Sequence, residues 1–194
     1  MGQILAHFLC FPGGIMQIFI KILAVLLTFA SFSCKAAVNF GPINDNTLAY
    51  VQAGYYEARD GGRLAMKLVM SATYNRVVDG RWPRSAKRVV WQSGQYAWTG
   101  GQRHRASLYP KATAPADRAA LAEAVSLARS LRAGHWEPSI SANHFLSPKA
   151  LSGPFPRWAR CTAALAAEGR CVSYKGQKVR SPDFTYAGTW FYTL

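Results

Sequence analysis

Apolar positions recur at helical spacing most clearly in residues 113–134. Apolar residues spaced three or four apart form a stripe along one side of a helix, and such a stripe predicts a helix that faces the core. Thr113 is placed to cap this helix, Pro115 falls in its first turn, and Gly134 ends it. The stripe consists of Leu121, Val125, Ala128 and Leu131.

Two further helices are predicted upstream of this one. The first runs through "LAYVQAGYYEAR", with Asn46 or Thr47 as its N-cap, and the "DGG" of residues 60–62 ends it. The apolar stripe of the second helix consists of Leu64, Leu68 and Ala72, and the polar residue Asn75 is next along this stripe. The turn sequence "DGRWP" at residues 79–83 follows this helix.

The other segments show no helical period. Residues 84–111 mix aromatic, glycine and basic residues, which predicts short strands and loops, and the proline-rich residues 138–157 predict a loop. A short helix is expected around residues 158–167, and the final "FTYAGTWFYTL" reads as a pair of strands. The predicted fold class is α+β, led by helices, with the irregular pieces gathered around one cleft.

Length and charge limit the range of functions. The chain has 194 residues, enough for one domain with a substantial core, and half of its residues are apolar. Its net charge of +14 attracts polyanions, which include nucleic acid, anionic membranes and the acidic polymers of a cell envelope. The charge by itself does not choose among these partners.

The N-terminal segment has the order of features that is typical of a secretory signal. Lys21 precedes the apolar run Ile22–Phe32, and small residues follow. We therefore expect residues 1–37 to be a signal peptide or leader, starting at Met1 or Met16, and residues 38–194 to be the catalytic domain. Export to the periplasm or cell wall follows from a cleaved leader, and a membrane tether follows from a retained one.

Two cysteines remain outside this leader. Cys161 and Cys171 bracket "TAALAAEGR", and in an oxidising compartment such a pair is expected to form a disulfide that closes a small loop. The spacing of histidines and cysteines indicates no metal site, and we expect no cofactor.

The stretch "YYEARDGG" at residues 55–62 carries the candidate chemistry. Glu57 directly follows two tyrosines in a chain with few acidic residues. An apolar wall disfavours the carboxylate and raises the pKa of the carboxyl group, which is what a general acid near neutral pH requires.

Several ordered sequence blocks resemble those of the SleB-type cell wall hydrolase family. They are "YYEAR" (55–59), "YNRVVDGRWP" (74–83), "VVWQSGQYAWT" (89–99), "NHFLSPKA" (143–150) and "PRWA" (156–159). The separation of Glu57 from Asn75 and Arg76 matches the family without a gap. The resemblance spans about residues 48–160.

The resemblance implies a lysozyme-like domain that cleaves the β-1,4 bond of peptidoglycan glycan strands between N-acetylmuramic acid and N-acetylglucosamine. Glu57 is the catalytic residue that it implies. Some neighbours have structural alternatives: Asn75 as a buried amide, Arg59 as an ion-pair partner, and Trp91 and Trp98 as core. The residues assigned to substrate binding are Tyr55, Arg59, Asn75, Gln95, Tyr96 and His144.

Most glycosidases use a second carboxylate, and this chain has few candidates. Asp60 is close to Glu57 in sequence, Asp79 lies in a turn, and Glu123 lies in a helix rich in alanine and arginine. One glutamate suffices if the C6 hydroxyl of N-acetylmuramic acid attacks its own C1, which is the lytic transglycosylase reaction. Attack by water is the alternative.

Two other classes of protein were weighed. A secreted cationic protein that binds the envelope or nucleic acid, on a degenerate hydrolase fold, fits the charge equally well. A metallopeptidase built on His104, His135 and His144 lacks any HExxH-like spacing. We expect a monomer that engages peptidoglycan and, through its charge, the anionic envelope, with no stable nucleic-acid partner.

Overall fold

Helices form the larger part of the fold. The structure is a computed structural model that describes residues 41–100, 105–106 and 108–194, so the predicted leader lies outside the described residues. The helices of the described part are α1 (Asp45–Ala58), α2 (Gly62–Asp79), the short α3 (Ala86–Val90), α4 (Pro115–Arg132) and the short α5 (Ala163–Ala167). None of them is long and apolar enough to span a bilayer.

Helix α1 begins earlier than its sequence pattern indicated. The N-cap is Asn44, whose Oδ1 accepts hydrogen bonds from the Thr47 N–H at 2.9 Å and from the Thr47 hydroxyl at 3.0 Å. Asn46 and Thr47, the predicted caps, therefore lie inside the first turn. Because an Asx side chain satisfies the free amides of that turn, the earlier asparagine starts the helix.

The core forms where α1 packs against α2, α3 and α4. The two long helices α1 and α2 approach closely at Gly54, where an added Cβ would lie 2.5 Å from the Met70 methyl group. Leu64, predicted for the core stripe of α2, is 47% exposed, because the buried face of this helix runs one position later, from Ala65. The predicted stripe of α4 is buried at all four positions.

Residues 84–111 differ from the prediction of strands. The described part of this segment contains α3, a turn and a 3₁₀ helix at Ala97–Thr99, and no strand. Ser85 caps α3 by accepting a hydrogen bond from the Arg88 N–H at 3.2 Å. Val89 and Val90 are both fully buried, so tertiary packing outweighs the strand preference of β-branched residues here.

The strands are short and antiparallel. They are β1 (His144–Leu146), β2 (Cys171–Tyr174), β3 (Gln177–Arg180), β4 (Phe184–Tyr186) and β5 (Thr189–Tyr192). The predicted C-terminal strand pair is confirmed as β4 and β5, and β1 adds to it in the order β1-β5-β4. Residues 138–157, predicted as loop, thus contain β1, whose three residues are too few to show an alternating pattern.

The predicted disulfide is present. The Sγ atoms of Cys161 and Cys171 are bonded, and the bridge ties the segment before α5 to the first residue of β2. Strands β2 and β3 pair as an antiparallel hairpin. Val179 of this hairpin packs with Phe155 and Tyr192 in a second, smaller hydrophobic cluster. Helices together with small antiparallel sheets make the protein an α+β, helix-led fold, as predicted.

Candidate active site

Glu57 lies in the last turn of α1 and is half-buried. Burial raises the pKa of its carboxyl group, while the Trp98 indole and the positive charge of Arg76 act in the opposite direction. Among the described residues no cation lies within ion-pair distance of this carboxylate. Glu57 is therefore a carboxyl group that holds its proton above the usual pH range of a glutamate.

An aromatic wall stands beside this carboxyl group. The Trp98 ring lies 4.6 Å from the Tyr56 ring, 5.4 Å from Trp91 and 5.8 Å from Tyr96, measured between centroids. The Trp98 N–H is near enough to Glu57 to lower its pKa, yet this buried nitrogen has no acceptor in full hydrogen-bond geometry among the described residues. This N–H is therefore a donor placed beside the carboxyl group.

Arg76 forms the electrostatic centre of the site. It is 3% exposed on α2, and its Nε donates to the Asn143 carbonyl while its Nη1 donates to Gln95 Oε1 at 3.1 Å. Its guanidinium lies 5.8 Å from the Tyr96 ring and 5.6 Å from the Phe145 ring. Gln95 and Tyr96, both predicted site residues, are therefore gathered around one buried cation.

Tyr96 belongs to the same cluster as Glu57. The Tyr96 side chain is buried, and its hydroxyl lies 2.7 Å from Thr73 Oγ1 on α2. Burial raises the pKa of Tyr96, and the charge of Glu57 acts in the same direction. The two side chains are thus close enough to interact electrostatically.

Asn75 and His144 make contacts at and around the start of β1. The Asn75 amide donates to the carbonyls of Ile140 at 2.7 Å and Ala142 at 2.8 Å, so both of its N–H groups hold backbone in place. The His144 ring lies against Trp82 and Trp158, with centroid separations of 5.4 and 4.9 Å. Burial and nearby arginines lower the pKa of His144 to about 4, so its ring is neutral near pH 7.

Asn143, next to His144, is tied to the end of the chain. Its backbone N–H donates to the Tyr192 carbonyl at 3.0 Å, and its side chain exchanges two hydrogen bonds with the backbone of Leu194, at 3.0 and 3.1 Å. Its Oδ1 lies 2.8 Å from His144 Nδ1, which therefore carries the ring proton. The carbonyl that binds Arg76 is held by these contacts.

Tyr55 and Arg59 face a different part of the molecule. Tyr55 is 2% exposed, and burial and Asp117 of α4 raise its pKa. The Arg59 guanidinium lies 5.0 Å from the Tyr55 ring and 3.5 Å from an Asp117 oxygen. The structure places these two predicted site residues against α4, away from the cluster around Arg76, and their role in binding stays a prediction.

The other candidate carboxylates have partners of their own. Asp60 is 97% exposed and lies 3.8 Å from Arg59, and Glu123 pairs with Arg63. Arg81 binds both oxygens of Asp79 and holds the pKa of that carboxyl at about 2. None of these three carboxylates is among the groups that shift the pKa of Glu57.

A cavity of about 360 Å³ is lined in part by Trp98. Tyr56 and Trp98, which pack together beside Glu57, contribute to its wall, and Arg105 and Lys111 bring positive charge. The residues that line it are Gln52, Tyr56, Trp91, Trp98, Arg105, Leu108, Tyr109 and Lys111. We call this the aromatic–basic pocket.

No metal-binding cluster of histidine, cysteine or acidic side chains occurs within the ranges that the structure describes. His104, one of the three histidines weighed as ligands, lies outside those ranges. His135 is exposed just after α4, whereas His144 lies on β1.

Comparison with known families decides the class of protein. A family model described as Cell Wall Hydrolase matches residues 61–170, more than half of the chain. The chain belongs to the cell wall hydrolase family. No curated protein and no solved structure matches this cell wall hydrolase. Membership confirms the resemblance seen in the sequence, supports a peptidoglycan hydrolase function and implies peptidoglycan as the substrate.

The matched segment of the cell wall hydrolase covers the whole of α2, α3, α4, β1 and α5. It includes Asn75, Gln95, Tyr96 and His144, but it begins just beyond Glu57. Glu57 is therefore a candidate because of its environment in the structure, since it lies outside the matched segment.

Three residues of the site are poorly indicated by the sequence. The sequence favours a core position for Trp98, gives Arg76 only as part of a matched spacing, and does not distinguish Gln52. The Asn-Arg pair at 75–76 was the available signal for Arg76, because it lies in a matched block. For Gln52 the only signal was a polar side chain inside an otherwise apolar helix segment.

Proposed function

We propose that this cell wall hydrolase cleaves the β-1,4 bond between N-acetylmuramic acid and N-acetylglucosamine as a lytic transglycosylase, with Glu57 as its catalytic acid and base. The observation that carries the proposal is the environment of Glu57. The carboxyl group is half-buried beside Trp98, its pKa is raised, and no second carboxylate is among the groups that shift this pKa.

The reaction balances with one carboxyl group. Glu57 donates its proton to the glycosidic oxygen, the bond from this oxygen to C1 of N-acetylmuramic acid breaks, and N-acetylglucosamine leaves with a new hydroxyl. The C6 hydroxyl of N-acetylmuramic acid then bonds to its own C1 and returns its proton to Glu57. The product is a 1,6-anhydro sugar, and the acid is regenerated.

Trp98 and Arg76 act on the state between the two proton transfers. Glu57 is then a carboxylate, and both the Trp98 N–H and the Arg76 charge favour that form. Burial favours the protonated form before and after. Glu57 thus has neighbours that favour each of its two protonation states, which suits a group that must first donate and then accept a proton.

The proposal extends to where the protein works. We propose that residues 1–37 direct export and that residues 38–194 act as a monomer at the periplasm or cell wall. The disulfide between Cys161 and Cys171 supports this, because such bonds persist in oxidising compartments. The positive charge supports contact with an anionic envelope.

The test is lysis of purified peptidoglycan by Glu57→Gln. The amide keeps the size of the side chain but cannot transfer the proton, so we expect a loss of about 100- to 10,000-fold in rate. Glu137→Gln, at an exposed position of the loop after α4, is the matched control and should lyse at the wild-type rate. Lysis by Glu57→Gln at the wild-type rate would contradict the role of Glu57, whereas wall binding without lysis by the wild type would favour the cationic binding protein.

Mass spectrometry of the wild-type products distinguishes the two reactions. A transglycosylase leaves anhydro ends, whereas attack by water leaves reducing ends that are heavier by one water molecule. Reducing ends alone would replace transglycosylation by hydrolysis and leave the role of Glu57 as the acid intact.

A further inference from the structure

The aromatic–basic pocket combines exposed apolar surface with positive charge. Tyr56 is 36% exposed and Leu108 is 55% exposed, although both are large apolar side chains. Arg105 and Lys111 are exposed at its rim, and neither forms an ion pair among the described residues. Such a surface fits a ligand that has both an apolar face and a negative charge.

One buried side chain holds the walls of this pocket. Gln52 is 1% exposed, and its Nε2 donates to the carbonyls of Arg105 at 3.1 Å and Leu108 at 2.8 Å. Its Oε1 accepts the Trp91 indole N–H at 2.9 Å. The amide thus joins α1 to the loop that carries the basic rim, and it fixes one aromatic wall.

The pocket and the candidate catalytic carboxyl group share Trp98. This ring lines the pocket, packs at a tilt against Tyr56, and lies beside Glu57. A ligand in the pocket therefore contacts the same indole ring that lies beside Glu57, the residue proposed to protonate the glycosidic bond. In peptidoglycan the groups next to that bond are the sugar rings and the peptide attached to N-acetylmuramic acid, which carries carboxylates.

We propose that the aromatic–basic pocket binds the peptide stem of N-acetylmuramic acid, with Arg105 and Lys111 pairing to a carboxylate of the peptide. The inference rests on the proposed function for its substrate, and it adds a specificity: the enzyme selects glycan that carries peptide over bare glycan. Sugar hydroxyls alone would not require two cations at the rim.

Binding without turnover tests the inference. The ligands are the disaccharide of N-acetylglucosamine and N-acetylmuramic acid with a tetrapeptide attached, and the bare disaccharide with its lactyl carboxyl group capped as an uncharged amide. Affinities are measured by calorimetry and by tryptophan fluorescence, which reports on Trp91 and Trp98 in the pocket wall. We expect the peptide-bearing ligand to bind about tenfold more tightly, as charge-assisted contacts provide.

The double substitution Arg105→Ala with Lys111→Ala should remove that preference and leave the affinity for the bare disaccharide nearly unchanged. The matched control, Lys149→Ala with Lys178→Ala, removes the same charge from exposed positions elsewhere and should keep the preference. Equal binding of both ligands to the wild type would overturn the inference. A preference that survives in the Arg105→Ala, Lys111→Ala variant would overturn it as well.

Failure of the pocket proposal can be distinguished from failure of the proposed catalytic function. Binding is also measured in Glu57→Gln, where the preference should persist because the pocket is intact. If Glu57→Gln still lyses walls while the preference is present, the catalytic proposal fails and the pocket assignment stands. If Glu57→Gln is inactive and the preference is absent, the catalytic proposal stands and the pocket assignment fails.

Discussion

At the scale of single residues, the raised pKa of Glu57 fixes the sign of a stability effect. The unfolded chain ionises this carboxyl group near its ordinary pKa of about 4.3, whereas the folded chain does so at a higher pH. Below both values the two states are equally protonated. As the pH rises through the interval between them, the folded state alone keeps the proton, and the free energy of unfolding decreases.

Glu57→Gln should therefore have a higher Tm than the wild type at pH 7 to 8. The amide is buried without the cost of a charge, so the difference in Tm should shrink as the pH falls toward the ordinary glutamate pKa of about 4. Thermal unfolding from pH 3 to pH 8 measures it, with Glu137→Gln as the control. A difference in Tm that grows at low pH would contradict the assigned direction of the pKa shift.

Gln52 offers a second prediction at this scale. Gln52→Leu leaves the Trp91 N–H and the carbonyls of Arg105 and Leu108 without their partner. Each buried polar group that loses its hydrogen-bond partner lowers the free energy of unfolding by about 1–3 kcal/mol. We expect a large drop in Tm by differential scanning fluorimetry, whereas Gln92→Leu, at an exposed position, should change it little. Equal Tm values for the two variants would show that Gln52 does not hold the loop.

The sequence singled out Glu57 as the candidate acid, but it did not indicate which distant residues surround this side chain. Glu57 follows two tyrosines, yet Tyr55 packs toward α4 and only Tyr56 joins the wall beside the carboxyl group. The tryptophan that contacts Glu57 comes from residue 98, far along the chain. A local pattern can place a carboxyl group beside its neighbours in sequence, but the long-range partners depend on how the loop after α3 folds back.

At the scale of elements, the disulfide holds a part of the fold that has little core of its own. The bridge joins Cys161 to Cys171 at the start of β2, and α5 between them has no fully buried residue. A disulfide stabilises mainly by restricting the unfolded chain, and a loop of this size contributes about 2–4 kcal/mol.

Cys161→Ser with Cys171→Ser should therefore lower the free energy of unfolding by about that 2–4 kcal/mol and leave the lysis rate nearly unchanged at low temperature. Urea unfolding and a lysis assay on the same samples measure both. Reduction of the wild type should reproduce the loss in stability. Two free thiols in unreduced mature protein, residues 38–194, would contradict the bridge.

Helices with a long apolar stripe were the predictable elements. The stripe of α4 is buried as the period indicated, and Gly134, with φ of +72°, lies just beyond its end. The short elements were not predictable: β1 has three residues and depends on pairing with β5, and α3 contains adjacent valines that favour strands. Three to five residues carry too little periodic signal to outweigh tertiary packing.

At the scale of the whole molecule, the charge of +14 predicts how the protein binds walls. The cations are largely exposed, so their attraction to an anionic wall is screened over about 8–10 Å at physiological ionic strength. Binding of Glu57→Gln to purified walls should weaken steadily as sodium chloride is raised, in a sedimentation assay without turnover. Binding that is flat across that range would remove the role given to the charge.

The contacts of Asn143 also determine the order in which parts of the site can form during synthesis. The backbone that binds Arg76 is held by Tyr192 and Leu194, which leave the ribosome after every other residue of the site. The helices can form earlier, because their contacts are made among residues 45–132. A nascent chain that stops short of β5 therefore has Glu57 and Trp98 but lacks the brace on Arg76. The brace on Arg76 therefore forms only once β5 and the residues after it have been synthesised, later than the packing of the helices.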